Sequence, residues 1–265
     1  MEVREDKKLV FSVVNKGEVQ RLAPEQVVGA FLHKLKCFFT DPGEVAEAVV
    51  AVPPFFSAVE RQAVLDACKI GGIKCLKLLN ENTAVALAYG FFRRKEFDEK
   101  TPRNVAFLDL GHGSASVTIA SFTQKKVKII SHNSDRNLGA RSFDYTLMKK
   151  LAHEFEAKYG CNPLETPKTR LRLLEAIEKG RIMLSANQEV QINVECLMED
   201  EDLSRHLTRD EFIVMIEPDL ERLNALLEKT LAESGLTPSD IHSVEMIGEA
   251  TRIPIVQDRA QDVFK

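Results

Sequence analysis

The feature that most limits what this chain can fold into is the stretch 104–119, which joins two strand patterns through a glycine-containing loop. Residues 105–108 form a short apolar run, which predicts a buried strand. Apolar and polar residues then alternate from 114 to 122, which is the period of a second strand. We therefore expect two neighbouring strands of one sheet with residues 109–114 between them.

That loop has the sequence Asp-Leu-Gly-His-Gly-Ser. Glycines let a backbone turn sharply and bring its N–H groups close to a ligand. Asp109, at the end of the first strand, could hold a divalent cation or orient a water molecule. Ser114 could bond a phosphate oxygen. An ordinary glycine hairpin with an aspartate in its turn is the alternative that this stretch leaves open.

Composition narrows the classes of function. The 265 residues suit one large domain or two small ones, and they can bury a sizeable core. A net charge of −4 gives no general reason to expect a nucleic-acid partner. We expect no membrane partner, since no apolar run approaches the ~20 residues of a membrane span, and the N-terminus lacks the apolar core of a signal peptide. The five cysteines are scattered without a Cys-x-x-Cys pair, so we expect reduced thiols in a cytosolic protein.

The first third of the chain alternates between helix and strand patterns. Helices are predicted at 24–38, 57–70 and 80–90, and strands at 9–14, 46–52 and 73–79. This alternation is typical of a mainly parallel sheet covered by helices. The charged segment 93–103, which contains Pro102, is a connector and a candidate boundary between two lobes.

The remainder is predicted to be richer in helices. A strand at 126–131 extends the antiparallel run, and residues 199–202 are predicted as a solvated turn. Pro218 should kink or divide the helix that begins after Thr208. Within the predicted helix 168–186, four residues share one face: Glu178, Arg181, Ile182 and Ser185. The alternative is that these polar residues only form a helix face that is exposed to solvent.

Several segments together resemble one family. They are Pro-Glu-Gln-Val at 24–27, Ala-Val-Pro-Pro-Phe-Phe at 51–56, Asn-Glu-Asn-Thr-Ala-Val-Ala-Leu-Ala-Tyr-Gly at 80–90, the loop 109–114, Leu-Gly at 138–139 with Phe-Asp at 143–144, and Thr-Arg-Ile-Pro at 251–254. In this order they are similar to the nucleotide-binding domain of heat-shock protein 70 chaperones. Asp-Leu-Gly-His and the segments 184–187 and 194–200 resemble the large, heat-shock protein 110 branch. The resemblance covers nearly the whole chain.

The resemblance implies an α/β, actin-like ATPase fold of the ribonuclease H-like type. Two lobes, residues 1–103 and 104–265, would close over Mg²⁺ and ATP or ADP. Glu81 and Asp109 would be the catalytic residues that act on the attacking water and on the magnesium ion. Asp109 would hold the metal indirectly. The nucleotide would contact Gly111, His112, Gly113, Ser114 and Gly139 at its phosphates, Glu178, Arg181 and Ser185 at the adenosine, and Gly248 and Arg252 on the other side of the nucleoside.

The sequence also departs from the family pattern. The first phosphate hairpin, the segment with the catalytic lysine and the last subdomain have no counterpart, so we expect a fragment truncated at both ends, with an incomplete first lobe and little hydrolysis. Glu249 and Ala140 stand where the family has glycine, and the charge of Glu249 would repel phosphate. Ile182 replaces a basic residue beside the adenine, which removes a cation–π contact worth ~0.5–2 kcal/mol. Together these changes predict weakened nucleotide binding.

The function implied by the resemblance is that of an ATP-binding chaperone domain that assists protein folding under stress. In the large branch it would act as nucleotide-exchange partner of a heat-shock protein 70. Unfolded client proteins would bind through a domain that this chain lacks, and the location would be the cytoplasm and also the nucleus. A non-hydrolysing scaffold remnant and an actin-like kinase stay open as alternatives, although the run 80–90 argues against the kinase.

Overall fold

A computed structural model of the chain describes residues 2–3, 9–39, 41 and 46–265. The chain divides into two compact units, Met1–Ala88 and Tyr89–Lys265, each of which mixes helices and strands. The boundary between the units falls inside the helix Glu81–Phe92. The assignment of lobes to 1–103 and 104–265 stays a prediction.

The first unit contains two small sheets. Its elements are β1 (Glu2–Val3), β2 (Leu9–Asn15), β3 (Glu18–Leu22), α1 (Pro24–Lys36), β4 (Ala46–Val52), α2 (Ala58–Ile70), β5 (Ile73–Asn80) and the start of α3 (Glu81–Phe92). Strands β4 and β5 pair in parallel, whereas β1, β2 and β3 form an antiparallel sheet. The expected parallel arrangement holds for β4 and β5 but not for β2, which pairs antiparallel with β3, a strand that was not predicted. Lys16 and Gly17 between them both have positive φ, which is the two-residue turn that closes an antiparallel hairpin.

The second unit is built on one mixed sheet. Its elements are β6 (Arg103–Leu110), β7 (Ala115–Thr123), β8 (Lys126–Asp135), α4 (Ala140–Tyr159), α5 (Pro167–Leu184), β9 (Glu189–Met198), β10 (Glu201–Thr208), α6 (Arg209–Ser234), β11 (Ile241–Ile247) and α7 (Pro254–Phe264). The sheet order is β11-β6-β7-β8, in which β6, β7 and β8 are antiparallel and β11 runs parallel to β6. Strands β9 and β10 form a separate hairpin.

The main core of the second unit lies between this sheet and its helices. Val117 and Ile119 of β7 are fully buried together with Phe143 and Leu147 of α4 and Phe212 of α6. An aromatic cluster also packs in this unit, where the rings of Phe97 and Phe122 stack with centroids 5.2 Å apart. Because β6 and β7 are neighbouring antiparallel strands of this sheet, the loop that connects them lies at one end of it.

One expectation for this unit is wrong in detail. The segment predicted as a solvated turn contains only a short turn, because Glu199 and Asp200 both have positive φ and the chain returns as β10. Of the two effects expected at Pro218, division of the helix does not occur, since α6 runs from Arg209 to Ser234, and a kink stays a prediction. The missing N–H at a proline costs about 3 kcal/mol in a helix interior. Apolar side chains of α6 are buried before and after Pro218, and their burial offsets that cost. They are Phe212, Ile216, Leu220, Leu223 and Leu227.

Candidate functional site

The loop between β6 and β7 is a tight turn with free backbone donors. The Gly111 N–H donates to the Ser114 carbonyl at 3.0 Å and closes the turn. The N–H groups of His112, Gly113 and Ser114 donate to no acceptor among the described residues. Backbone N–H groups in a turn are donors from which phosphate oxygens can accept. The loop therefore has donors available at the place where the phosphate loop is predicted.

The start of α4 holds this loop from one side. The N–H groups of Ala140 and Arg141 donate to the carbonyls of Gly111 and His112 at 3.1 and 2.8 Å. A methyl group at Gly139 would lie 2.6 Å from the His112 oxygen and 2.8 Å from the Gly111 oxygen. Gly139 thus lies directly against the loop, and only a residue without a side chain permits this approach.

The end of β11 contacts the same loop from another side. Ile247 is the register partner of Asp109, since β11 runs parallel to β6. Gly248 follows with φ 85° and ψ 152°, a conformation that is essentially restricted to glycine. A methyl group there would overlap the Leu110 carbonyl oxygen and lie 3.1 Å from the Gly111 nitrogen. The structure therefore brings Gly139 and Gly248 together at residues 110–112.

Asp109 lies at the end of β6, beside this loop. Its side chain is only partly accessible, and its carboxylate forms no hydrogen bond or ion pair with the part of the chain that the structure describes. Burial raises the pKa of Asp109 above its ordinary value. A desolvated carboxylate with no compensating partner is typical of functional sites. Mg²⁺ is commonly bound by one or two carboxylates with phosphates and water, so Asp109 and the loop fit such an ion.

This raised pKa predicts a pH-dependent gain in stability on replacing Asp109 by asparagine. The folded chain binds the carboxyl proton more tightly than the unfolded chain, so the wild type loses stability as the pH rises through the titration of Asp109. Asp109→Asn should therefore unfold at higher denaturant concentration near neutral pH, and the gain should shrink as the pH falls toward the ordinary carboxyl pKa of 3.8. Denaturant titrations across that range measure the difference.

Asp98→Asn is the control of opposite sign. The Asp98 carboxylate accepts hydrogen bonds from the N–H groups of Thr101 and Lys100 at 2.8 and 2.7 Å, and these bonds lower the pKa of Asp98. This variant should lose stability near neutral pH, and the loss should fade as the pH falls through the lowered folded-state pKa. Equal pH dependence in the two variants would contradict the explanation for Asp109.

A buried ion pair lies under the predicted adenosine side of the site. Arg181 on α5 donates through Nε to Asp144 Oδ1 at 2.6 Å and through Nη2 to Oδ2 at 3.2 Å. Both side chains are almost fully buried. Burial raises the pKa of Asp144 while the Arg181 guanidinium opposes that shift, and the nearby Glu178 and His112 also act on it electrostatically. Arg181 is therefore not part of a solvated face, and it belongs to one electrostatic cluster with the loop residue His112.

The end of α5 meets the segment that follows β11. Arg181 and Ser185 line one narrow cavity with Ile253 and Pro254, while Arg252 is exposed next to them. The Ser185 hydroxyl donates to the Ile182 carbonyl at 2.6 Å. The cavity measures about 10 Å³, which is the space of a single water at most. The structure therefore brings Arg181 and Ser185 together with Ile253 and Pro254, and this cavity is too small for a nucleoside.

The sequence departs from the family pattern at Glu249, Ile182 and Ala140. Glu249 is exposed directly after Gly248, and Ile182 on α5 is 54% exposed. Ala140 is buried, and its N–H bonds the loop as described above. The fold thus accommodates the methyl group of Ala140, and Glu249 follows the end of β11 after Gly248. Asp144 was not assigned a role from the sequence, where it appeared only within the segment Phe-Asp at 143–144 that carries the family resemblance.

Glu81 belongs to the first unit and begins α3, at the carboxyl end of the parallel pair β4 and β5. Arg61 ties the neighbouring loops together. Its guanidinium donates to Asn80 Oδ1 at 2.9 Å and to the Phe56 and Pro54 carbonyls at 3.0 and 3.2 Å. Residues at the carboxyl ends of parallel strands commonly face ligands. The joint role of Glu81 with Asp109 stays a prediction.

Among the described residues, no group of three or more His, Cys, Asp or Glu side chains could hold a metal ion. The helices of this part of the chain include none that combines the length and apolar character needed to cross a membrane.

Comparison with known proteins gives a consistent result. The sequence profile of the family described as "Hsp70 protein" matches residues 1–265. Heat shock 70 kDa protein 16 of Arabidopsis thaliana is 38% identical over 251 residues, which cover 94% of this chain and 33% of that protein. The 97 kDa heat shock protein of Mesocentrotus franciscanus is 36% identical over 94% of this chain and 29% of its own length. Heat shock protein 110 of Caenorhabditis elegans is 35% identical over 94% of this chain and 33% of its own length. The chain thus spans about a third of the length of these relatives.

Proposed function

This chain belongs to the Hsp70 family, whose members share an actin-like ATPase fold, and we propose that it binds ATP or ADP together with Mg²⁺ on the loop 111–114. In this proposal it is the nucleotide-binding part of a chaperone of the heat-shock protein 70 and 110 type. The relatives described above are themselves heat-shock proteins, which supports the assignment.

One observation carries the proposal. The loop 111–114 offers three free N–H groups beside a partly buried carboxylate that has no partner among the described residues. Free N–H groups suit phosphate oxygens, and an unpaired carboxylate suits a cation. Partial burial without a partner destabilises the ionised carboxylate of Asp109, and a bound cation would offset that cost. His112 is exposed and Gly113 and Ser114 are partly exposed, so their N–H groups are accessible to a ligand.

Each residue has a specific role in the proposed site. The loop N–H groups and the Ser114 hydroxyl would donate to phosphate oxygens, and Asp109 would hold the metal through water. Mg²⁺, when bound, would supply positive charge that offsets the phosphates. Glu178, Arg181, Ser185 and Arg252 would hold the adenosine, with Arg181 fixed in place by Asp144.

The proposed physiological role is nucleotide exchange. We assign the longer protein that contains such a domain as an exchange partner of a heat-shock protein 70, with unfolded client proteins bound through other domains. Similarity to heat shock protein 110 supports this role. The five cysteines carry free thiols, which supports a reducing compartment such as the cytosol.

Titration of the purified chain with a fluorescent ATP analogue, with and without Mg²⁺, tests the nucleotide site. We expect saturable binding that Mg²⁺ strengthens. Asp109→Asn should weaken Mg-ATP binding by roughly 10–100-fold, which is typical when a group that supports a metal is removed. Binding without Mg²⁺ should change far less. The matched control is Asp98→Asn, which removes the same charge from an exposed turn and should leave both affinities unchanged.

A folded sample that shows no saturable binding would overturn the proposed site. The exchange role needs a separate measurement, in which the chain is added to a heat-shock protein 70 loaded with labelled ADP. Faster release of the label would support nucleotide exchange. An unchanged release rate, measured with a chain that itself binds ATP, would contradict the exchange role and leave the nucleotide site standing.

A further inference from the structure

Arg141 places a cation on the phosphate loop, although the sequence analysis gave it no role. It is the second residue of α4, and its side chain is exposed. A methyl group at Gly113 would lie 3.4 Å from Nη2, 3.6 Å from Cζ and 3.9 Å from Nη1 of Arg141. The guanidinium therefore lies directly beside Gly113. Because the Arg141 N–H bonds the His112 carbonyl at 2.8 Å, the base of the side chain is fixed to the loop.

This guanidinium has no partner within the described chain. It forms no ion pair or hydrogen bond there, and both carboxylate oxygens of the buried Asp144 accept from Arg181. Its position also opposes the helix dipole, since the N-terminal turn of a helix favours acidic residues. The first turn of α4 contains none. The exposed guanidinium is therefore available to a ligand, and a bound anion would offset the unfavourable interaction with the helix dipole.

The surrounding groups indicate what such a cation would bind. The free N–H groups of His112, Gly113 and Ser114 lie on the loop that the guanidinium contacts. A guanidinium holds its donors in a rigid fork that matches two phosphate oxygens, whereas an ammonium group acts more as a point charge. Gly248 contacts the loop at residues 110–111, whereas Arg141 contacts it at Gly113. The cation therefore adds a donor at a different residue of the loop from the one that Gly248 contacts.

From this arrangement we infer that Arg141 binds the terminal phosphate of the nucleotide and favours a triphosphate over a diphosphate. The inference rests on the proposed nucleotide site. It adds a specificity-determining residue to that site, where the loop N–H groups alone would hold either nucleotide.

Affinities of Arg141 variants for ATP, ADP and adenosine test the inference. Arg141→Ala should weaken Mg-ATP binding roughly tenfold or more, which is the range for losing a charged hydrogen bond. The loss for ADP should be smaller, and adenosine binding should be unchanged because it has no phosphate. The ATP affinity of Arg141→Lys should lie between the affinities of the wild type and of Arg141→Ala. Arg170→Ala is the matched control, because Arg170 is an exposed arginine in the first turn of α5.

Arg141→Glu separates binding from folding. An acidic residue in the first turn of α4 should leave thermal stability unchanged or raise it, because it suits the helix dipole. The same variant should bind ATP more weakly than Arg141→Ala, since its charge repels phosphate. Equal ATP affinity in wild type and Arg141→Ala would overturn the inference, as would an equal loss for adenosine. If the wild type itself binds no ATP, the proposed function fails and the inference fails with it.

Discussion

Gly248→Ala is expected to lower the free energy of unfolding by about 2–4 kcal/mol and to abolish Mg-ATP binding. Gly248 adopts φ 85° and ψ 152°, and a residue with a side chain pays about 1–3 kcal/mol to reach this region. A methyl group would also overlap the Leu110 carbonyl oxygen and lie 2.7 Å from its carbonyl carbon. Both are backbone atoms, so no side chain can move aside to relieve the overlap.

The loss of binding follows from the same contact. Leu110 and Gly111 begin the loop that carries the free N–H groups, and a displaced Leu110 carbonyl would shift this loop. The free N–H groups of the loop would then be displaced from the positions that the folded chain gives them. Denaturant unfolding and titration with the fluorescent ATP analogue, on the same preparation, measure both effects.

Gly160→Ala is the control for backbone strain alone. Gly160 ends α4 with φ 77°, and no atom lies within 4 Å of a methyl group placed there. This variant should cost about 1–2 kcal/mol, because a side chain is disfavoured in the left-handed region. It should bind ATP like the wild type. If Gly248→Ala loses no more stability than Gly160→Ala and keeps its ATP affinity, then the tight contact with Leu110 does not support the loop.

Arg181→Met is expected to lower the free energy of unfolding by about 3–5 kcal/mol near neutral pH, the range for breaking a buried ion pair by removing one partner. The variant leaves the Asp144 carboxylate buried without the two hydrogen bonds that Arg181 supplies at 2.6 and 3.2 Å. The pKa of Asp144, already raised by burial, should rise further when its cation is gone. A raised carboxyl pKa costs stability above the titration range and not below it. The defect should therefore be smaller at acidic pH.

Two further variants identify the cause. Replacing both partners, as Asp144→Leu with Arg181→Met, should restore much of the lost stability, since it leaves no buried charge. Lys229→Met removes a cation from the exposed pair with Glu233, whose nitrogen and oxygen lie 3.9 Å apart, and should cost less than about 0.5 kcal/mol. If the double variant is no more stable than Arg181→Met, the loss arises from packing and not from an unpaired charge.

Features that depend on a few neighbouring residues could be predicted from the sequence. The helix predicted at 57–70 is confirmed as α2, and its first turn has a local cause, since Ser57 and Glu60 form a capping box in which the Ser57 N–H donates to Glu60 Oε2 at 2.7 Å. The strand periods on both sides of the loop 111–114 are also confirmed. Each of these signals is contained within one helix turn or one strand, so no distant part of the chain can change it.

Predictions from neighbouring residues fail where a distant part of the chain determines the local structure. Strand β10 needs β9 as its partner, and its own segment begins with the charged residues Glu201 and Asp202. The continuity of α6 through Pro218 depends on burial against the core of the second unit. Neither effect is visible in the composition of the segment itself.

The sequence by itself determined the family, the glycine loop and the identity of the residues that could form a nucleotide site, because short motifs keep their chemistry wherever they occur. Only the tertiary structure decided how those residues are used. In the folded chain Arg181 is buried against Asp144, 37 residues away along the sequence, and Arg141 lies beside Gly113. The physical reason is that burial and charge pairing depend on distances between elements, and packing of the whole second unit sets those distances.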